Sequence, residues 1–253
     1  ILNITLSSGK KINTRLLVAA DGARSKVREL MGFSTTEWDY DQQAIVATVQ
    51  IEKCHEATAW QRFSATGPLA FLPLPGEENT HFCSIVWSCD NWLAEELISL
   101  DDQQFCKRLS AEFEFTLGDV LGVSDRAFFP LRQSHAVSYF KPLVALVGDS
   151  AHSIHPLAGQ GLNIGLLDVD VLSEELLLAH NSDIEIGSLD VLARYQRRRR
   201  GENLQMMLAM EGFKGLFGSR KIPLRWLRNE GLRNVDKMQW VKKRVINYAM
   251  GLA

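Results

Sequence analysis

The chain has 253 residues, 46% of them hydrophobic and 23% charged, and a formal net charge of −2. That length buries a substantial core, as one large domain or two small ones, and the balance excludes a disordered or fibrous chain. No apolar run approaches the length of a bilayer-spanning helix, and Ile1-Leu-Asn-Ile-Thr-Leu carries no basic region ahead of an apolar one, so neither a membrane span nor a secretory signal is expected.

In chain order, Ile1–Leu6 and Ile12–Ala19 flank Ser7-Ser-Gly-Lys-Lys11 and predict a hairpin. The second strand ends at Asp21-Gly22, and Arg24–Met31 reads as a short helix stopped by Gly32. Strands follow at Ala44–Ile51, Ala59–Ser64, Leu69–Leu72, His81–Ser88 and Ala127–Gln133, punctuated by Pro68, Pro73, Pro75 and Gly76. One amphipathic helix, Asp101–Phe113, interrupts them. Leu143–Val147 is a buried strand that ends at Gly148-Asp149. A long helix over Gly161–Ala179 then places Leu162, Leu166, Val169, Leu172 and Leu176 on one apolar face. Ser188–Met210 is an Arg-rich helix, and Pro223–Leu252 reads as basic amphipathic helix. The fold class is α/β with α+β character. An α/β layer (1–36 and 136–187) holds an inserted antiparallel sheet (37–135), and C-terminal helices (188–253) follow.

Charge is unevenly placed. Residues 190–253 hold 15 Lys/Arg against 5 Asp/Glu, whereas residues 1–189 hold 13 against 25. The basic segment suits an anionic partner or docking onto the acidic body. The run Arg197–Arg200, if helical, spreads around the circumference and makes no groove-reading face, so nucleic acid is not an expected partner. Cys54, Cys83, Cys89 and Cys106 show no Cys-x-x-Cys spacing and read as reduced thiols of a cytosolic protein. No compact ligand set predicts a metal.

Two stretches carry chemistry. The strand end at Asp149 offers a carboxylate to a hydroxyl-rich ligand. The glycine-rich start of the next helix offers backbone N–H groups without intrahelical partners to a partial negative charge. A flavin presents both a ribityl chain and such a ring edge. Gly148-Asp149-x-x-His152-x-x-x-Pro156-x-x-Gly159-Gln160-Gly161-x-Asn163-x-Gly165-x-x-Asp168 resembles the second flavin fingerprint of the para-hydroxybenzoate-hydroxylase-like flavoproteins. Val18-Ala-Ala-Asp21-Gly22-Ala23-Arg24-Ser25-Lys26-Val27-Arg28 resembles their Asp-Gly motif, and the two stand in the family's order. Within that superfamily the chain most resembles the ubiquinone-biosynthesis flavin hydroxylases. Gly67-Pro-Leu-Ala-Phe-Leu-Pro-Leu-Pro75, Arg194-Tyr195-x-x-x-Arg199 and Tyr248-Ala-Met-Gly-Leu252 look like segments of these enzymes.

The resemblance implies an FAD-dependent monooxygenase that uses NAD(P)H and O₂ to hydroxylate a polyprenyl phenol or quinol. The flavin does the hard chemistry, so no catalytic side chain is assigned. By motif match Asp149, with Gly148, meets the ribityl or pyrophosphate region, and Pro156 lies near the reactive side of the ring. Gly159, Gln160, Gly161, Leu162 and Asn163 present N–H groups to the pyrimidine edge. Asp21 and Gly22 sit near the pyrophosphate, and Arg24 either contacts cofactor phosphate or forms a surface ion pair. His152 and His155 are expected to be structural, and Asp168 scaffolding. Phe71, Phe82 and Trp87 are candidates for a substrate pocket, although alternation alone does not choose the face of the sheet.

The sequence contains no strand–Gly-x-Gly-x-x-Gly–helix for an ADP pyrophosphate, and Gly159-Gln-Gly161-Leu-Asn-Ile-Gly165 has the wrong spacing for one. The expectation is therefore the C-terminal part of a flavoprotein that holds FAD weakly or not at all by itself and is inactive alone. The location expected is cytoplasmic, peripheral on the inner membrane through the basic tail. Alternatives are a hydroxylase of soluble phenols, a halogenase-like relative, or a non-catalytic scaffold or lipid-binding protein.

Overall fold

The computed structural model describes residues 1–64, 66–153 and 161–218, and beyond them 230, 231, 233, 238–240 and 242–244. The chain divides into two compact units, one of residues 1–38, 132–213 and 231–253, the other of residues 39–131 and 214–230.

The first unit opens with β1 (Leu2–Thr5) and β2 (Lys11–Thr14), an antiparallel hairpin with Ile4 opposite Ile12. The second strand of the predicted hairpin does not run on to Ala19. The Thr14 hydroxyl donates to the Leu16 carbonyl at 2.7 Å and bends the chain. β3 (Leu17–Ala19) thereby leaves the hairpin for a different sheet. The short helix α1 (Lys26–Leu30) follows, capped by Ser25, whose hydroxyl accepts from the Arg28 N–H.

β4 (Thr35–Ile51) starts well before the predicted Ala44 and carries the chain into the second unit. There it joins β5 (Trp60–Phe63), β6 (Pro68–Pro73) and β7 (Phe82–Asp90). Two helices cover one face: α2 (Asn91–Ser99), which sequence reading missed, and α3 (Asp102–Glu112). A capping box between Asp101 and Gln104 starts α3. β8 (Val120–Val123) and β9 (Ala127–Ala136) complete this part, and β9 runs back into the first unit. The strand order is β9-β4-β7-β6-β5, with β8 also on β4. Strict alternation along β4 and β7 puts Ile45, Ala47, Val49, Ile51, Cys83, Ile85, Trp87 and Cys89 into one apolar core.

In the first unit β10 (Phe140–Lys141), β11 (Val144–Leu146) and β3 form a three-stranded sheet in that order. β11 pairs parallel to β3, with Ala145 opposite Val18. β12 (His152–Ser153) pairs antiparallel with the end of β9, so His152 faces His135. α4 (Gly161–Asn181) and α5 (Leu189–Gly218) close the unit. The buried face of α4 shares only Leu172 with the predicted apolar one, Leu176 being half-buried. Ile164, Asp168, Leu172, Glu175 and Ala179 are inside, whereas Leu162, Leu166 and Val169 are exposed. Arginines from α5 explain the inversion. Arg194 and Arg198 bind Glu175 at 2.7 and 3.0 Å, and Arg199 binds Asp168 at 2.8 Å. The Arg197–Arg200 run therefore splits: Arg199 is buried and Arg198 is paired to α4, while Arg197 and Arg200 are exposed. The predicted tail helix Pro223–Leu252 falls largely outside the described residues.

Candidate functional site

The parallel pairing of β3 and β11 brings the two sequence motifs to the same end of one sheet. Asp21-Gly22 leaves β3 just where Gly148-Asp149 leaves β11. In open α/β sheets, ligands bind beyond such carboxyl ends. Gly22 and Gly148 both have positive φ, 82° and 58°, a conformation that suits glycine at these sharp turns.

The Gly148–Ser150 turn is fastened from three sides. The buried Ser150 hydroxyl donates to the Ala19 carbonyl at 2.6 Å, tying it to β3. Arg28 of α1 donates to the Ser150 carbonyl at 2.9 Å and to the Ala23 carbonyl at 2.6 Å, joining the two motifs directly. Arg28 stands inside the Asp-Gly motif, yet nothing in the sequence distinguished it from Arg24, which is exposed. From α4, Asp168 accepts the Gly148 N–H at 3.0 Å. Gly165 allows that approach, because a Cβ there would stand only 3.2 Å from the Gly148 Cα.

Asp149 is exposed on this pinned turn, outside the buried run Val144–Val147. Asp21 is also exposed, but its carboxylate serves its own turn. It accepts from the Ser25 hydroxyl at 2.5 Å and the Val27 N–H at 3.1 Å. Burial opposes ionisation at Asp21, and these hydrogen bonds outweigh it, leaving the carboxyl below its ordinary range. Gly161, Leu162 and Asn163 form the first turn of α4, and a Cβ added at Gly161 or Gly22 meets nothing within 4 Å. Bare backbone at both places suits close approach of a flavin, and an exposed carboxylate at a strand end suits its ribityl hydroxyls. Pro156, Gly159 and Gln160, like His155, lie outside the described residues.

Behind the turn lies a buried polar cluster. Asp168 accepts from His152 Nε2 at 2.5 Å, Arg199 Nε at 2.8 Å and Asn203 Nδ2 at 3.1 Å. Burial raises the Asp168 carboxyl, but the bonds from His152, Arg199 and Asn203 together bring it below the ordinary range. Asn203 also donates to the Tyr139 hydroxyl, which meets His135 Nε2 at 3.0 Å. Burial first, then the nearby His152 and Arg200, pushes His135 down to about 4. His152 is thus buried and hydrogen-bonded, and Asp168 is the acceptor that gathers the cluster.

The pocket candidates divide. Phe71 and Trp87 are sealed in the core of the second unit, Phe71 4.3 Å from the Phe113 ring centroid and Trp87 6.2 Å from that of Phe105. They are packing residues under α2 and α3 and not pocket walls. Phe82 points to the other face of β7, where Val46, Ala70, Ser84 and Val86 are half-buried. Among the described residues no group of His, Cys, Asp and Glu is arranged to hold a metal.

A flavin-type nucleotide-binding layer is the class that these strand ends and turns define. The chain belongs to the FAD binding domain family, which matches residues 3–207. Several of its curated relatives are named as hydroxylases or monooxygenases of ubiquinone biosynthesis, the group that the motifs resemble. The 3-demethoxyubiquinol 3-hydroxylase of Escherichia coli (strain K12) is 37% identical over 98% of this chain and 62% of that protein. The ubiquinone hydroxylase UbiL of Rhodospirillum rubrum is 38% identical over 99% and 57%. The mitochondrial ubiquinone biosynthesis monooxygenase COQ6 of Danio rerio is 34% identical over 98% and 57%. The chain therefore spans about three fifths of the length of these relatives. Among solved structures, p-nitrophenol 4-monooxygenase PnpA of Pseudomonas putida superposes with a TM-score of 0.74 at 19% identity, covering 97% of this chain and 62% of that one. At that identity the likeness is one of fold.

Proposed function

We propose that this chain is the C-terminal part of an FAD-dependent aromatic hydroxylase that acts on a polyprenyl phenol or quinol in ubiquinone biosynthesis. The observation that carries the reading is the adjacency of the two motif turns at one end of the sheet, locked by Arg28 and Ser150. FAD, when bound, supplies the oxygen-activating redox chemistry, with NAD(P)H as reductant. The chain's own residues bind and orient. Asp149 accepts hydrogen bonds from the ribityl hydroxyls, and the first turn of α4 directs N–H groups at the pyrimidine edge, where reduced flavin gathers negative charge. Asp21 and Gly22 bound the pyrophosphate side. The sheet face carrying Val46, Ala70, Val86 and Phe82 offers small and apolar side chains for a phenol ring.

The names of the relatives support the substrate class. The test is conversion of a lipid-extracted prenylated phenol by the full-length protein carrying these residues, with FAD, NAD(P)H and O₂. Turnover of soluble phenols alone overturns the polyprenyl reading and leaves the hydroxylase. By themselves these 253 residues take FAD weakly and are inactive, because no Gly-x-Gly-x-x-Gly turn among them holds the ADP pyrophosphate. Recovery of the chain as a yellow protein with stoichiometric FAD overturns that.

The enzyme works in the cytoplasm and visits the inner-membrane surface. No helix among the described residues is long and apolar enough to cross a membrane. The basic segment Pro223–Leu252 supplies the attraction to anionic headgroups. Equal binding of anionic vesicles with and without residues 223–253 removes that role.

A further inference from the structure

Asp168 lies two turns inside α4 and is fully buried. Its two oxygens nevertheless collect four N–H donors from three other segments. Oδ2 takes Gly148 of the motif turn and His152 of β12, and Oδ1 takes Arg199 and Asn203 of α5. Arg199 is itself buried. It donates to Asn203 Oδ1 at 2.8 Å, to the Ile164 carbonyl at 3.4 Å, and to Glu202. Both Asp168 oxygens and four of the five Arg199 N–H groups are thereby engaged between α4, α5 and the turn.

A second ion pair joins the same two helices and supplies a comparison. Glu175, also buried, is held by Arg194 and Arg198, with Arg198 reaching Glu174 as well. The Glu175 cluster fastens helix to helix only. The Asp168 cluster fastens both helices to Gly148 and His152, the two ends of the Gly148–His152 segment on which Asp149 stands.

We propose that Asp168, oriented by Arg199 and Asn203, is a positioning residue for the Asp149 turn and sets the affinity of this chain for flavin. The proposal rests on the flavin reading above. Loss of its charge releases the Gly148 N–H and the His152 imidazole and leaves the Arg199 guanidinium buried without its anion. Asp149 then no longer stands at a fixed place beside β3, and binding pays for ordering the turn.

The experiment compares wild type, Asp168→Asn, Arg199→Lys and the control Glu175→Gln. Three readouts are taken: thermal unfolding, FAD titration by fluorescence quenching, and ¹H–¹⁵N spectra of the Gly148 and Asp149 amides and the His152 ring. Asp168→Asn is expected to weaken FAD by about tenfold or more, the scale of a lost charge-assisted hydrogen bond. Arg199→Lys keeps the charge, loses the fork and falls between. Glu175→Gln is expected to lower the melting temperature while leaving FAD affinity and the Gly148 and Asp149 signals in place. Equal weakening by Asp168→Asn and Glu175→Gln, or unchanged affinity in Asp168→Asn, overturns the proposal. Should these 253 residues alone take too little FAD to titrate, the titration is made in the full-length protein carrying them; if that takes none, the flavin reading fails separately and the spectra decide: unmoved Gly148 and Asp149 signals in Asp168→Asn overturn positioning. If Asp168→Asn does not fold, Arg199→Lys carries the same comparison with Glu175→Gln.

Discussion

Both units bury an apolar cluster, but only the first adds a buried network of charged and polar side chains. The core beneath α2 and α3 is almost wholly apolar: Ile45, Leu69, Ile85, Trp87, Leu93, Leu97, Phe105 and Leu109 are all at 1% exposure or less. Even its titratable groups behave as apolar ones, since burial pushes the thiols of Cys83 and Cys89 up to about 11 and about 12. The other unit buries Asp168, Arg199, Asn203, His135, His152, Tyr139 and Tyr195 around a small sheet. An apolar core is non-directional and stabilises by area removed from water. A polar cluster has fixed partners and angles, so it specifies one geometry. Shape is thus specified most tightly beside the motif turns.

The largest expected effect breaks the comparison on its apolar side. Trp87→Ala should destabilise by about 3–5 kcal/mol through loss of burial and a residual cavity. Urea unfolding measures it, and flavin affinity of the folded fraction should not change. A change in that affinity would mean that the apolar core also shapes the site.

The polar side should announce itself in pH. His135 titrates near 4 when folded, against an ordinary 6.5. As pH falls through 6.5 the unfolded chain takes up a proton that the folded chain refuses until about 4. Stability is therefore full above that window and falls by about 3 kcal/mol across it, with no further loss from this group below it. His135→Gln should flatten the slope in unfolding free energies measured between these limits. A slope that survives assigns the effect to other groups.

Asp149→Ala sharpens the comparison at the ligand. It should cost about 1.5–3 kcal/mol of flavin affinity in the full-length protein. The melting temperature should hold, because the side chain is exposed. Normal flavin occupancy and turnover in the variant would remove Asp149 from the site. The smallest effect belongs to Ser25→Ala, which removes the cap of α1 and should cost about 1 kcal/mol by denaturant titration.

This contrast also decides what the sequence could disclose. β6, β7 and α3 were legible because β-branched and aromatic runs announce the strands and an apolar helical period announces the helix, and neighbouring residues supply both signals. The hydrophobic face of α4 misled for the opposite reason. Leu162, Leu166 and Val169 follow the helical period, yet Asp168 and Glu175 are inside because arginines far along the chain neutralise them. Periodicity counts apolar residues and is blind to a distant counter-ion. The same limit hid Arg28 and left Phe71, Phe82 and Trp87 undivided between faces. Asp149, Gly148 and Gly22 were legible because a special backbone turn and a motif coincide there.

The pairing of β3 with β11 has a consequence for how the chain comes to be folded. Val18 and Ala145 are neighbours in one ladder although roughly 130 residues separate them, a loop whose closure costs entropy that grows as the logarithm of its length. The intervening strands shorten that loop once formed, because β4 and β9, which carry the chain out and back, are adjacent in their own sheet. Prior formation of the inserted unit therefore lowers the cost of joining β3 to β11. β1 and β2 pair with each other, but β3 has no partner in its sheet until β11 is made. In that interval its edge is open to mispairing with another chain.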